Sequence, residues 1–343
     1  MSEQLEPLAP ADALEMYIDH RESELSEKSL QNQRYRLRSF VEWCDEVGLD
    51  NLNDLTGRDL HKFRTWRSQG GGERYGEVGT VTLRGVLQTL RKFLEFAASI
   101  DAVEPGLRER VLIPEVDPED ESSDAKVSET YMRELLQHLN RYHYASRDHV
   151  IIAILWHTGI RLGSLRALDV DDFDADDRCL RLRHRPEEGT PLKNRSVAER
   201  SIAVGEHYTQ VIQEYIDHNR IAVTDEHGRE PLISSAQGRL TEVPIRRTIY
   251  KWTRPCMIGD CPHDKDPETC DWMVNDRQAS GCPSSRSPHA VRRGAITKHL
   301  RQGVPEQVVS DRMNVGKDTL DQHYDRRTER EKMETRREFL EDQ

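Results

Sequence analysis

Lysine is scarce in this chain: 10 of its 50 basic residues are lysine and 40 are arginine, set against 62 acidic residues for a net charge of −12. A uniformly acidic surface repels phosphate, so the balance by itself excludes the basic footprint of an ordinary polyanion-binding protein. The kind of charge changes that reading. An acidic, lysine-poor composition suits a halophile. At molar salt the Debye length falls to roughly 3 Å, so distant carboxylates no longer repel a polyanion while a guanidinium in contact still pairs with it. The charge is therefore read as habitat, with an ordinary acidic protein of no nucleic-acid role as the plain alternative. Long apolar runs are also missing. None reaches the roughly 18 residues of a membrane span, and the opening MSEQLEPLAP has no signal-peptide pattern, which predicts a cytoplasmic chain with no membrane partner. There are no internal repeats.

Cysteines are few and unevenly placed. Cys44 and Cys179 fall in periodic segments and read as core, whereas Cys256, Cys261, Cys270 and Cys282 crowd into one segment. With His263 they give C-x4-C-x-H-x6-C-x11-C, a donor set for a tetrahedral structural zinc. The spacing matches no common finger, and a loop with incidental cysteines is the other reading. A disulfide framework does not suit a cytoplasmic chain of this size. No open-site motif such as H-E-x-x-H is present, so a zinc nuclease fits poorly.

At 343 residues the chain predicts two domains. Residues 9–100 read as four helices: Leu37, Phe40, Val41 and Cys44 recur at helical spacing, as do Leu83, Val86, Leu87, Leu90 and Leu94. Thr56 is the expected N-cap of a helix over 57–68. Arg34, Arg36, Arg38, Arg64 and Arg67 on these helices are either DNA contacts or a solvated polar face. Pro114 to Ala125 (PEVDPEDESSDA) carries six acids and no base, which marks a linker and places the domains at 1–113 and 126–343. After it, Ser128 caps a helix, a second runs from about Asp148 to His157, Gly159 breaks it, and Arg161 opens a short third. Val170–Phe173 and Cys179–Arg183 predict a β-hairpin, Ser201–Val204 a third strand, and most of the remainder helix, with a loop near Gly228–Gly238 and a Cys-rich insert over 256–282. The expected fold is mainly α with a small antiparallel β-sheet (α+β).

Three fragments carry chemistry: T158-G-I-R161, H289-A-V-R292, and H323-Y324-D325. Breaking a phosphodiester needs a nucleophile, positive charge on the non-bridging oxygens and a proton for the leaving oxygen. Arg161 and Arg292 suit the second task, because the planar guanidinium pairs with phosphate oxygens and stays charged. Pro288 is a common helix-start residue, so His289 and Arg292 should share one helix face. Tyr324 is a poor nucleophile at its ordinary pKa of about 10, and clustered positive charge would favour its phenolate. H-x-x-R alone is common on surface helices; the 32 residues from Arg292 to Tyr324 and the order of the fragments make the set specific.

In these segments the chain resembles the tyrosine recombinase (phage integrase) family, in particular its Xer-like integrases of the haloarchaeal kind. T-G-I-R161-L-G-S-L-R-A-L looks like the family's first box and P-H289-A-V-R292-R-G-A-I-T-K-H-L-R-Q-G like its second, with V-P-E-Q-V-V-S-D-R-M-N-V and then H-Y324 in place of the final helices and nucleophile. The resemblance covers roughly 128–330, and the N-terminal helices look like the family's core-binding (SAM-like) domain. It implies a two-domain clamp on double-stranded DNA. Arg161 and Arg292 should hold the scissile phosphate, His289 assist proton transfer, and Tyr324 form a 3′-phosphotyrosyl bond that releases a 5′-hydroxyl. No metal or ATP should be needed for catalysis. The family's general-acid lysine, on the loop between the second and third strands, maps to Lys193, with Arg195 the nearest rival. The charged tail after Tyr324 resembles a C-terminal helix that docks on a neighbouring protomer of a homotetramer, or is simply solvated.

Two positions depart from the family: Ser164 stands where an acid is usual, and Val315 where His or Trp donates a hydrogen bond to phosphate. Losing one such donor costs about 10²–10³ in rate. His323 beside the nucleophile is a poor substitute, since adjacency on a helix points it elsewhere. The implied function is site-specific DNA recombination, integration or excision. A non-catalytic DNA-binding regulator of the same fold and a type IB topoisomerase are the alternatives.

Overall fold

The computed structural model describes residues 5–71, 74–116, 126–317, 319, 320, 333 and 337. The chain divides into two compact units, Met1–Ser123 and Asp124–Gln343. Residues 117–125 of the acidic stretch lie outside the described residues, as do His323 and Tyr324 and, apart from Met333 and Arg337, the tail that follows.

The first unit is built on four α-helices among the described residues: α1 (Pro10–Glu22), α2 (Glu27–Val47), α3 (Gly57–Ser68) and α4 (Thr80–Ser99). Local rules set their ends. Ser26 caps α2, and Thr56 and Asp59 form a reciprocal capping box at α3, with Thr56 N–H donating to the Asp59 carboxylate at 3.2 Å. Their apolar faces meet in one core of Leu37, Phe40, Trp43, Phe63, Phe93 and Leu94, with Phe40 and Phe63 edge to face at 5.3 Å. Arg67 is buried: it donates to the Gly76 carbonyl at 3.3 Å and lies over the Tyr75 ring, so its role is to hold the loop before α4. Arg34 pairs with Glu15 and Arg36 donates to Thr89 Oγ1, while Arg36 and Arg38 remain exposed.

The second unit packs around α6 (Arg147–Thr158), which is apolar on every side from Val150 to Trp156 and is accordingly buried all round. Before it runs α5 (Glu129–Tyr142), capped by Ser128, and after it the short α7 (Leu162–Ala167). Gly159 ends α6 in the left-handed region (φ 62°), and a Cβ there would sit 2.6 Å from Met313 Sδ. Both constraints demand glycine. A three-stranded antiparallel sheet follows in the order β1 (Phe173–Asp174), β2 (Cys179–Leu182), β3 (Arg200–Ala203), with Leu180 opposite Ile202. The expected first strand is cut short, because Val170–Asp172 forms a 3₁₀ turn. Asp169 N–H donates to the Asp172 carboxylate at 3.0 Å, and that carboxylate takes both Nη groups of Arg185 at 2.8 and 2.9 Å. These buried polar contacts outweigh strand propensity.

Helix α8 (Glu206–Glu214) leads through a π turn to a two-residue-per-strand hairpin, β4 (Ser234–Ser235) with β5 (Gly238–Arg239), in the segment expected to be loop. Then come α9 (Glu242–Trp252), the Cys-rich segment, α10 (Pro288–Arg301) and α11 (Glu306–Met313). Pro288 sits in the first turn of α10 behind the N-cap Ser287. Gly294 lets α10 lie close to α6: a Cβ there would meet the Val127 carbonyl at 2.5 Å and the Trp156 ring at 2.6 Å. Between α10 and α11 lies a small separate core of Ile296, Leu300, Val309, Met313, Val315 and Leu320.

Candidate functional site

Arg161 is the N-cap residue of α7, directly after the Gly159 break and the buried Ile160. Arg292, on α10, is 4% exposed. It donates through Nη1 to the Gly159 carbonyl at 2.6 Å and through Nη2 to the Asn314 carbonyl at 3.3 Å. One guanidinium thus ties the α6–α7 junction, α10 and the end of α11 together.

His289 stands one turn before Arg292 on the same helix. Burial, then the charges of Arg293, Arg292, Lys193 and Arg161, push its pKa down to about 4. That dependence reports a convergence: groups separated by more than a hundred residues in sequence share one electrostatic neighbourhood. At neutral pH the imidazole is neutral, able to accept a proton on one nitrogen while donating from the other. Lys193 is exposed on the β2–β3 loop, immediately after the buried Leu192. Its neighbour Asn194 donates to Asn314 Oδ1 at 3.1 Å, which brings the loop to the end of α11.

The two departures are also placed. Ser164 is buried inside α7. Val315 is 6% exposed and packs in the small apolar core, with its carbonyl accepting from Ser310 Oγ. It is a core residue there. Asn314 before it holds the left-handed region (φ 50°, ψ 63°), a conformation asparagine adopts more readily than most residues.

Arg200 and Arg312 escaped the sequence reading. Arg200, on β3, donates from Nε to the Arg312 carbonyl at 2.8 Å and from Nη1 to the Ala198 carbonyl at 2.6 Å. Arg312 reaches the Ala203 carbonyl at 2.8 Å and the His157 carbonyl at 3.3 Å. Burial, followed by the charges of Arg161 and Arg312, lowers the Arg200 pKa to about 10. These partners are carbonyls, so the positive charge beside Arg161 is not cancelled by them. An arginine in a half-buried strand position carries no motif, and only its nearness to Arg161 shows its place.

The Cys-rich segment is a closed excursion before α10. Thr253 Oγ1 donates to the Arg286 carbonyl at 3.2 Å and accepts from Arg286 N–H at 2.8 Å, so the two ends are clasped. Tyr131 Oη reaches the Trp252 and Arg254 carbonyls, each at 2.8 Å, which pins the segment to α5. Cys270 and Cys282 are buried and Cys256 and Cys261 half-buried. Cys256 Sγ contacts Met273 Sδ at 3.3 Å, and His263 Nε2 bonds Ser284 Oγ at 3.0 Å. Among the described residues no group of three or more His, Cys, Asp or Glu stands close enough to hold a metal ion.

Arginines, a lysine and a neutral histidine in one neighbourhood suit a phosphate whose oxygens gain charge during transfer. Comparison with known proteins agrees. The model of the phage integrase family matches residues 126–331, and that of the phage integrase N-terminal SAM-like domain matches 15–99. Tyrosine recombinase XerC of Mycobacterium sp. (strain KMS) is 25% identical over 284 residues, 80% of this chain and 80% of the relative. XerC of Mycobacterium tuberculosis (strain ATCC 25177 / H37Ra) is 27% identical over 168 residues, 49% of this chain and 45% of the relative. Two solved structures share the fold. The Tn1549 transposon integrase in complex with circular intermediate DNA has a TM-score of 0.65 at 17% identity, covering 95% of this chain and 98% of that one. A lambda integrase dimer bound to a COC′ core site has a TM-score of 0.62 at 12% identity, covering 94% and 80%. Since the family model spans the Arg161, Lys193, His289 and Arg292 neighbourhood and extends past Tyr324, the chain belongs to the phage integrase family, the tyrosine recombinases.

Proposed function

We propose that this chain recombines double-stranded DNA at specific sites through Tyr324, with Arg161, Lys193, His289 and Arg292 completing the centre. The observation that carries this is the placement of Arg292, one turn after His289: its guanidinium bonds the Gly159 carbonyl, two residues before Arg161, and the carbonyl of Asn314, whose side chain bonds Asn194 beside Lys193. The Tyr324 phenol oxygen attacks the scissile phosphorus while the bond to the 5′ oxygen breaks, leaving a 3′-phosphotyrosyl link and a 5′-hydroxyl. Arg161 and Arg292 hold the non-bridging oxygens. His289, neutral before substrate arrives, assists the phenolic proton's departure, and Lys193 gives a proton to the leaving 5′ oxygen. The bond energy stays in the phosphotyrosine, so rejoining needs no ATP, and tyrosine recombinases need no cofactor for catalysis.

The rest of the reading follows from this centre. Residues 1–113 act as a core-binding domain, 114–125 as linker and 126–343 as the catalytic domain, and both units contact the duplex. Four copies assemble on paired sites, with the tail after Tyr324 docking on a neighbour. The lysine-poor acidic composition fits a halophile's cytoplasm, and binding to a specific site should then survive molar KCl, whereas loss above about 0.3 M salt would contradict it. The Cys-rich segment would take a structural zinc on Cys256, Cys261, His263, Cys270 and Cys282 only by drawing these donors together, since as placed no three of the described groups stand close enough to hold a metal ion. Metal analysis of protein purified without chelator should find one zinc per chain; none would remove the site.

A second reading, a weakened enzyme or a DNA-binding regulator, is favoured by one observation, the burial of Val315 where the family places a phosphate donor. Trapping covalent protein–DNA adducts with detergent, from cells expressing wild type or Tyr324→Phe, separates these. Adducts that require Tyr324 and cluster at a few sequences support recombination. Scattered adducts point to a topoisomerase, and intact DNA binding without adducts points to the regulator.

A further inference from the structure

The base of the β2–β3 loop is held by a buried ion network whose members lie far apart in sequence. Arg229 donates from Nη1 to Thr190 Oγ1 at 3.0 Å and from Nη2 to the Glu188 carbonyl at 2.6 Å, so it grips the loop three and five residues before Lys193. Its other partners are Asp169 Oδ2 at 3.2 Å, Asp225 Oδ2 at 3.3 Å and, as an ion pair from Nε, Glu188 Oε2 at 3.2 Å. Both aspartates are themselves fixed by Arg239, which pairs with Asp169 and lies 2.8 Å from Asp225 Oδ2. Arg166, one turn beyond Arg161, donates to the Gly189 carbonyl at 2.9 Å. Within the loop, Arg185 and Thr190 exchange backbone hydrogen bonds at 3.3 and 2.9 Å, Leu192 is buried, and its N–H donates to His184 Nδ1 at 2.9 Å. The tether ends at Leu192. Lys193 is the first exposed residue after it.

We infer that Arg229 is a positioning residue that acts through Lys193, by latching the β2–β3 loop so that the ammonium is presented to the leaving 5′ oxygen. This rests on the reading of Lys193 as the proton donor given above. A network needed only for stability would not have to reach Thr190 and the Glu188 carbonyl, because Asp169 and Asp225 already satisfy the guanidinium's charge. The hydrogen bonds to the loop are the part that serves position.

The test is single-turnover cleavage of a suicide duplex carrying either the normal 5′ oxygen or a 5′-bridging sulfur at the scissile phosphate. A thiolate leaves without being protonated, so the sulfur substrate bypasses the general acid. General acid catalysis supplies roughly 10²–10⁴-fold, and Lys193→Ala should lose about that on the oxygen substrate and little on the sulfur one. Arg229→Ala should follow the same pattern at a smaller loss, about tenfold or more on oxygen, with DNA affinity unchanged. Thr190→Val, which leaves every charge paired, gives the same readout if Arg229→Ala fails to fold. Equal slowing of the Arg229 or Thr190 variants on both substrates, with Lys193→Ala still rescued by sulfur, would overturn the latch and leave the Lys193 assignment standing. Lys193→Ala slowed equally on both would overturn the assignment itself, and the latch with it.

Discussion

At the base of the β2–β3 loop, Arg185, Arg229 and Arg239 face the buried carboxylates Asp169, Asp172 and Asp225. On the other side of the same sheet's hairpin, Arg200 and Arg312 give their donors to the carbonyls of Ala198, Arg312, Ala203 and His157. Both groups are half-buried or more, and both are arginine, yet their electrostatics are opposite. Three guanidinium groups against three carboxylates cancel, and what remains is geometry. Guanidinium groups on carbonyls keep their charge, which is what an arriving phosphate needs. In a chain with net charge −12, the proposed reading therefore places the attraction for DNA where carboxylates are withheld, which counting arginines does not reveal.

Breaking the paired group should have the largest effect on stability. Asp169→Ala removes one of the two carboxylates that Arg239 and Arg229 share in a buried site, leaving three arginines around Asp225 and Asp172, and truncating one partner of such a network costs roughly 3–5 kcal/mol. A lowered urea midpoint with unchanged slope is the expected result. Arg200→Met should do the reverse, leaving the midpoint within about 1 kcal/mol of wild type while slowing cleavage roughly ten- to a hundredfold, because the buried charge it removes has no carboxylate to abandon. Equal stability losses in the two variants would erase the distinction between the groups.

Burial of histidines also predicts a pH dependence. His289 and His149 are held down to about 4, in both cases first by burial, against an ordinary value of 6.5. Below 6.5 the unfolded chain takes up protons that the folded one refuses, so stability falls as pH drops from about 6.5 towards 4, and His157, held to about 3, with Asp225, held to about 2, carries the fall further. A urea titration at pH 7, 6, 5 and 4 checks the sign, and His289→Gln should flatten part of the slope. The smallest effect belongs to Val315→Ala, expected to cost about 1–2 kcal/mol as a shortened core side chain and to leave the cleavage rate per folded molecule unchanged. A large rate loss at full stability would mean that Val315 touches substrate.

Much of this was legible because it obeys local rules. Thr56, Ser128 and Pro288 start helices for reasons contained in four or five residues, and Gly159 ends one because no side chain fits there. Arg161, His289 and Arg292 could be singled out in the sequence because few chemistries need those groups together, and their role is the proposal made above. What escaped depends on distant partners. Val170–Asp172 reads as strand until Arg185 is seen to hold Asp172, and the β4–β5 hairpin is too short for alternation to show. Arg229 sits in a loop 36 residues after Lys193 with no motif around it. Its role exists only once the fold brings Asp169 and Thr190 to it.

The most direct test of the central claim is chemical identification of the link. Wild-type protein is reacted with a suicide duplex, digested with protease and nuclease, and the nucleotide-bearing peptide is sequenced by mass spectrometry. The account predicts one modified peptide, with a 3′-phosphonucleotide on Tyr324 and a free 5′-hydroxyl on the released strand. A nucleotide on any other residue, or a 3′-hydroxyl on the released strand, would contradict it.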